Sequence, residues 1–281
     1  MLGESPYWHK QRKSCFWVDI ENGTLFEFHW ETRMVKQWKF NTRVSVILGN
    51  KDNDLVIGAQ GGIMQFSFKD ERIHWLTDID STTEDNRCND GGCDCNGRIW
   101  IGTMDVHCRE AAGSLFCVDE HLRLAKMMTG LTIPNGLVWS NDNKFLYFIE
   151  SMSRTVKSYV FNKNTGEISD EKIIIRIPEA MGMPDGMAID EEGMLWIAMY
   201  GGFCVKRWDP QTGELLHSIW LPVPNVTNCC FAGDDMSQLI VTTARENLSS
   251  EDLENYPGSG NVFIIDNPGV SGVAPHHAIY E

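Results

Sequence analysis

A layout recurs along this chain: a carboxylate or carboxamide, an acidic or glycine-rich turn, then a short apolar strand. Asn89-Asp90-Gly91-Gly92 passes through Asp94-Cys95-Asn96-Gly97 into Ile99-Trp100-Ile101. Asn135-Gly136-Leu137 leads through Asn141-Asp142-Asn143 into Phe145-Leu146-Tyr147-Phe148, and Asp185-Gly186-Met187 through Asp190-Glu191-Glu192-Gly193 into Leu195-Trp196-Ile197. With the weaker copies included, six units begin near residues 4, 45, 89, 135, 185 and 227, at separations of 41, 44, 46, 50 and 42. Each unit holds about four short strand-like runs parted by Gly, Asn and Asp turns, the last of them ending in the weak segment Gly272-Val273-Ala274-Pro275. No stretch has convincing helical periodicity. A four-strand repeat of this period is the signature of a propeller blade. The expectation is an all-β fold: one six-bladed β-propeller over residues 1–281, with four-stranded antiparallel blades around a central channel.

The propeller gives the polar starts a meaning. Equivalent positions of six blades lie on one ring, so Glu4, Asn89, Asn135 and Asp185 are expected to converge on one mouth of the channel. Two carboxylates with carboxamide oxygens are hard ligands suited to calcium, magnesium or manganese. Zinc tolerates carboxylates but prefers nitrogen or sulfur. The bland alternative at any single site is that Asn-Gly and Asp-Gly only make turns. Charge points the same way as the ring: 24 basic minus 39 acidic residues gives −15. That sign repels phosphate backbones and anionic membrane surfaces, so neither nucleic acid nor a membrane is an expected partner. No apolar run of about 18 residues is present.

Nine cysteines are an odd number in a chain large enough to need no staples, and none forms a C-x-x-C pair. Cys15 and Cys229-Cys230 sit in strand-like runs where small buried hydrophobes belong. Cys88, Cys93 and Cys95 match no usual zinc spacing, and Cys93 and Cys95 are expected to point to one face of an extended segment. Reduced thiols and, with no basic or hydrophobic signal region in Met1-Leu2-Gly3-Glu4, a cytoplasmic location follow as expectations. A G-x-S-x-G elbow, H-E-x-x-H, a P-loop and G-x-G-x-x-G are all absent.

Four motifs carry a resemblance over essentially the whole chain: Gly3-Glu4-Ser5-Pro6; Arg87-x-Asn89-Asp90-Gly91-x-x-Asp94-x-x-Gly97-Arg98 with Gly102-Thr103-Met104; Pro134-Asn135-Gly136-Leu137; and Pro184-Asp185-Gly186-Met187. In this order and at blade spacing, they resemble the regucalcin/gluconolactonase family, which also includes the luciferin-regenerating enzyme. Within it the chain looks most similar to the animal regucalcin branch. The resemblance implies one divalent ion held by Glu4, Asn135 and Asp185, with calcium the first expectation and zinc, manganese or magnesium the alternatives. It implies substrate contacts from Arg87 and Asn89, and hydrolysis of a sugar lactone with Asp185 as general base, by a chain expected to be monomeric.

Two departures from the family pattern stand out. Members usually carry about a strand of chain before the Gly-Glu-Ser-Pro motif, a strand that completes the last blade; here the motif starts at Gly3. A weakened seam between blades one and six is expected. The loop 105–112 is also short, leaving Glu110 as the nearest match to a substrate-contacting glutamate of the family, while His107 reads as an exposed loop histidine. Two other functions use the same ligands: a non-enzymatic calcium-binding regulator, and a hydrolase of another ester, an organophosphate or a thiazoline-type substrate.

Overall fold

The computed structural model describes all 281 residues. Blade one is built of Gly3–His9, Ser14–Asp19, Thr24–His29 and Val35–Lys39, hydrogen-bonded in chain order, every pair antiparallel. Blades two to five repeat this plan from the inner strands Val44–Gly49, Asn86–Cys93, Pro134–Trp139 and Met183–Ile189. The inner strands touch one another in ring order, and Val226–Ala232 of blade six returns to Gly3–His9. The chain is therefore a six-bladed β-propeller.

Burial explains why the runs differ in character. Second strands lie between neighbouring blades, so Ile99–Asp105 is buried at every position and reads as a nearly continuous apolar run. Outermost strands face water, and Val35–Lys39 is exposed at four of its five residues. The core is accordingly divided into wedges between blades. Five wedges hold 10 to 14 buried residues each, whereas Trp8, Cys15, Ala232 and Ile240 form a wedge of only four between blades six and one. The seam is also tied by backbone: Leu2 bridges Ala244, Arg245 donates to the Met1 carbonyl, and Thr227 Oγ1 donates to the Gly3 carbonyl at 2.6 Å.

Three details depart from the sequence reading. Blade six has three strands, ending in Phe263–Asp266. The segment Gly272-Val273-Ala274-Pro275, expected to be its last strand, leaves the blade after Asn267 and Gly269, both at positive φ. It crosses the lower face instead, where Val273 donates to Ile189, Ala278 to Gly49 and Ile279 to Gly97. A short helix, Ser250–Asn255, appears where no periodicity was visible; six residues are too few to show one, but Ser249 and Asp252 form a capping box that marks its start. Finally, Cys93 and Cys95 do not share a face. The strand ends at Cys93 and the chain turns at Asp94, so Cys93 joins the core between blades two and three while Cys95 packs on the one between three and four. All nine cysteines are free thiols. No helix is long and apolar enough to cross a membrane.

Candidate functional site

All six blades carry a pairing irregularity at the upper end of the inner strand: between Glu4 and Tyr7, Val44 and Ile47, Asn135 and Leu137, Pro184 and Met187, Val226 and Asn228, and opposite Ile101–Thr103 in blade three. A bulge re-aims the side chain at that point, which is the usual way a sheet turns a residue into a site. Here it delivers one ring of equivalent side chains: Glu4, Ser45, Asn89, Asn135, Asp185 and Asn228. Ser5, directly after Glu4, is held at φ 50°, a strained setting for a residue with a side chain. Its amide donates to Glu4 Oε2 at 2.8 Å and its Oγ accepts from Ile47, so the strain is fixed by blade two.

Glu4, Asn135 and Asp185 are all buried. Asn135 donates Nδ2 to Ser151 Oγ at 3.0 Å, and that hydroxyl donates on to the Pro184 carbonyl at 2.7 Å. The carboxamide is thereby turned with its Oδ1 left over as a donor-free ligand. Burial is the main force on the acids. It pushes the Glu4 carboxyl up to about 8, with the charge of Asp90 adding to the effect. Asp185 is held well above the usual carboxylate range by burial, then by the charges of Glu4 and Asp90. Asp90 itself is raised to about 6 by burial. The one cation acting on both Glu4 and Asp185 is Arg87, whose own basicity burial lowers.

This is a centre of acidic groups with too little positive charge, and that observation tests the fit of a metal. A divalent cation supplies the missing charge, and two carboxylates with a free carboxamide oxygen make a hard-oxygen donor set with room for water or substrate oxygen. The residues fit such an ion. No three His, Cys, Asp or Glu side chains cluster anywhere in a way that could hold one, this centre included, so its third ligand would have to be the Asn135 carboxamide oxygen.

Arg87 reaches the same place from blade three. Its Nη1 donates to Asn89 Oδ1 at 2.6 Å and to the Cys88 carbonyl at 3.0 Å, while its buried Nε meets no acceptor. Asn89 in turn donates Nδ2 to the Pro134 carbonyl at 2.9 Å. Both ends of Asn89 are thus engaged within the protein, binding Arg87 to blade four. Glu110 is exposed and lines a separate groove at the rim with Met127, Met128 and Lys157, and His107 is exposed beside it. Neither is brought to the buried centre.

Two residues of the centre escaped the sequence reading. Asn228 donates Nδ2 to Glu4 Oε2, and its Oδ1 accepts from the Cys229 amide at 2.8 Å. The sixth unit, expected to begin near Thr227, has its ring residue one position later. A usable signal existed: the ring residue stands five before the foot of its strand, as Asn89 before Asp94 and Asp185 before Asp190, and Asn228 keeps that distance to Gly233. Asp90, next to a ring residue, sits in what reads in sequence as a glycine-rich turn, yet its charge acts on both Glu4 and Asp185. At its place blades four and five carry glycine, and at Gly186 an added Cβ would fall 1.9 Å from the Asn228 side chain.

Comparison with known proteins gives this centre its relatives. Residues 2–245 match the SMP-30/Gluconolactonase/LRE-like region. The chain is 34% identical to regucalcin of Pongo abelii over 279 residues, 98% of this chain and 93% of that protein. Among solved structures, a luciferin-regenerating enzyme superposes with a TM-score of 0.93 at 28% identity, covering 99% of this chain and 95% of the other. The calcium-binding protein regucalcin of Agrobacterium tumefaciens gives a TM-score of 0.93 at 25% identity, covering 100% and 94%. The chain belongs to the SMP-30/gluconolactonase/LRE-like family.

Proposed function

We propose that this protein hydrolyses a sugar lactone with one divalent cation held by Glu4, Asn135 and Asp185. The observation that carries the reading is the buried pair Glu4 and Asp185, left short of positive charge beside a free Asn135 oxygen. When bound, the cation supplies a Lewis acid for the lactone carbonyl. The remaining work falls to side chains. Asp185, in its ionised form, takes a proton at a carboxylate oxygen from the water that attacks the lactone carbonyl, and returns it to the ring oxygen as the acyl C–O bond breaks. Arg87 sets its positive charge beside the acids, toward an oxygen of the substrate, and Asn89 keeps the guanidinium in that orientation.

The test is hydrolysis of glucono-δ-lactone followed by proton release across calcium, magnesium, manganese and zinc. Turnover with at least one ion, lost to chelator and regained on re-addition, is the expected result. If the protein takes up one ion per chain yet turns over no aldonolactone with any of them, the lactonase reading fails. A cation-binding protein without this chemistry then remains. The buried Arg87 guanidinium argues against that outcome, because a cation buffer gains nothing from a positive charge held beside its acids.

A further inference from the structure

The upper mouth of the channel carries a carboxylate that the metal-ligand set does not use. After Thr243 the chain of blade six runs along its seam with blade one, where Ala244 donates to the Asn225 carbonyl and Arg245 to that of Met1. The Glu246 carbonyl then accepts from Asn225 Nδ2 at 2.8 Å and from the Tyr200 hydroxyl at 3.0 Å. That hydroxyl accepts in turn from Asn247 Nδ2 at 3.0 Å. The backbone at Glu246 is held from blade five and from the entry to blade six. Its side chain is half-buried, and its carboxylate enters no hydrogen bond or ion pair.

The groups within reach of that carboxylate fix where it points. Its charge acts on Arg87 and Cys108 of blade three and on Tyr200 of blade five, and Glu21, Asp19 and the N-terminal ammonium of blade one act on it. Such influence extends over about 10 Å in salt water. A side chain of blade six that reaches blades one, three and five overhangs the channel, because blade three stands opposite in a ring of six. Burial, then the charge of Glu21, raises the Glu246 carboxyl above its ordinary range, and Arg87 draws it back. Glu21 itself is paired with Arg43 Nε at 3.1 Å, and Glu110 stays in the rim groove. Arg87 spends Nη1 on Asn89 and the Cys88 carbonyl, which leaves Nη2 without a partner. Guanidinium and carboxylate act on each other across the mouth without touching.

We propose that Glu246 is a specificity-determining residue of this site, accepting a hydrogen bond from a ring hydroxyl of the substrate while Arg87 donates to the same edge. A guanidinium only donates and a carboxylate only accepts, so a molecule that spans the two must both accept and donate. A hydroxyl does both, whereas an ether, an ester or a bare hydrocarbon ring does not. The substrate class is then a polyhydroxylated lactone, with its carbonyl toward Glu4, Asn135 and Asp185 and its hydroxyl edge under Glu246. A phosphate or carboxylate on that edge is repelled. The inference rests on the lactonase reading for the carbonyl end alone.

Two lactones of equal ring size test it: glucono-δ-lactone, and δ-valerolactone, which has no hydroxyl. Glu246→Ala should lower the preference for the first over the second by at least about tenfold, the factor of a hydrogen bond to a charged group. Glu246→Gln, which keeps the size and an acceptor oxygen but not the charge, should lose part of that preference. It carries the test alone if the alanine variant does not fold. Glucono-δ-lactam, which keeps carbonyl and hydroxyls but resists hydrolysis, reports binding without turnover. The full chain with saturating calcium should bind it at least about tenfold more tightly than Glu246→Ala does. Calorimetric titration with calcium should give both variants the wild-type cation affinity. Unchanged preference and unchanged lactam affinity overturn the inference, and so does a parallel loss of cation affinity, which would make Glu246 a support of the ion. If no lactone is turned over but lactam binding depends on Glu246, the inference stands and hydrolysis falls. If the wild type neither turns over lactone nor binds lactam, both fall.

Discussion

Asn228 and Glu4 stand 224 residues apart in sequence and share a hydrogen bond of 3.0 Å from Nδ2 to Oε2, deep in the channel mouth. The last blade thus orients a candidate metal ligand of the first. Outer partners of this kind commonly change metal affinity by about 10–100-fold. Asn228→Ala should weaken cation binding by that order with little change in the global fold, since the side chain lies in the channel and not in a wedge. Calorimetric titration with calcium or manganese checks it.

Asp185 and Arg87 should part company in kinetics. Asp185→Asn keeps an oxygen ligand and removes the proton acceptor, so at saturating metal the turnover of lactone should fall by about 10²–10⁴-fold. Arg87→Ala cannot remove a metal ligand. It should raise KM and lower kcat/KM while cation affinity stays within about threefold, a spread within the variability of single-site effects. Wild-type turnover by Asp185→Asn with full metal occupancy would remove Asp185 from the role of base.

The acids at the centre also set a pH dependence. Without cation, Glu4 titrates near 8 in the folded chain and near 4.5 when unfolded. Between these values the folded chain holds a proton that the unfolded chain has released, so stability of the metal-free protein falls as pH rises through that window. Cation binding must expel the proton, and its affinity should rise about tenfold per pH unit for each proton released. Thermal melts from about pH 5 to about pH 8 should therefore show a stabilisation by added cation that grows with pH. A constant increment would mean that the buried acids are already ionised.

At the opposite end of the channel, Asp190 is wholly structural. It accepts from Arg207 Nε at 2.7 Å, Trp196 Nε1 at 2.9 Å and the amides of Glu192 and Met194. Asp190→Ala strands the buried Trp196 indole and the two amides, while Arg207 keeps Glu192, a loss of about 1–3 kcal/mol. Denaturant midpoints should show it, and Asp190→Asn, which keeps the acceptor oxygen, should lose distinctly less.

The propeller was legible because its period is imposed by geometry. Each blade must present one apolar strand to each neighbour, so runs such as Leu195-Trp196-Ile197 recur at blade spacing whatever the function. The carboxylates were legible for the same reason, as polar residues at the one place where the period expects an inward-facing position. What stayed hidden depended on local departures. Asn228 was masked by a one-residue offset that the inner-strand bulge creates, and Asp90 by sitting where two other blades use glycine. The path of Gly272-Val273-Ala274-Pro275 was hidden because its partners, Ile189 and Met236 among them, lie in strand feet far away in sequence. A hydrophobic pattern records that a segment is covered, not which surface covers it.

The tail and the acid ring grip the propeller at opposite faces, and their combination decides how the ring can come apart. The tail spans the lower face from Met236 in blade six, past Ile189 in blade five, to Gly49 and Gly97 in blades two and three. The seam beside blade one has the smallest wedge, yet its lower edge is strapped. Opening must then start at the top, where Asn228 leans on Glu4 and a cation shared with Asp185 would bridge blades one and five across blade six. An ion placed there acts as the rivet of a clasp. Its removal should show first as faster amide exchange along Gly3–His9 and Val226–Ala232, before any other blade responds.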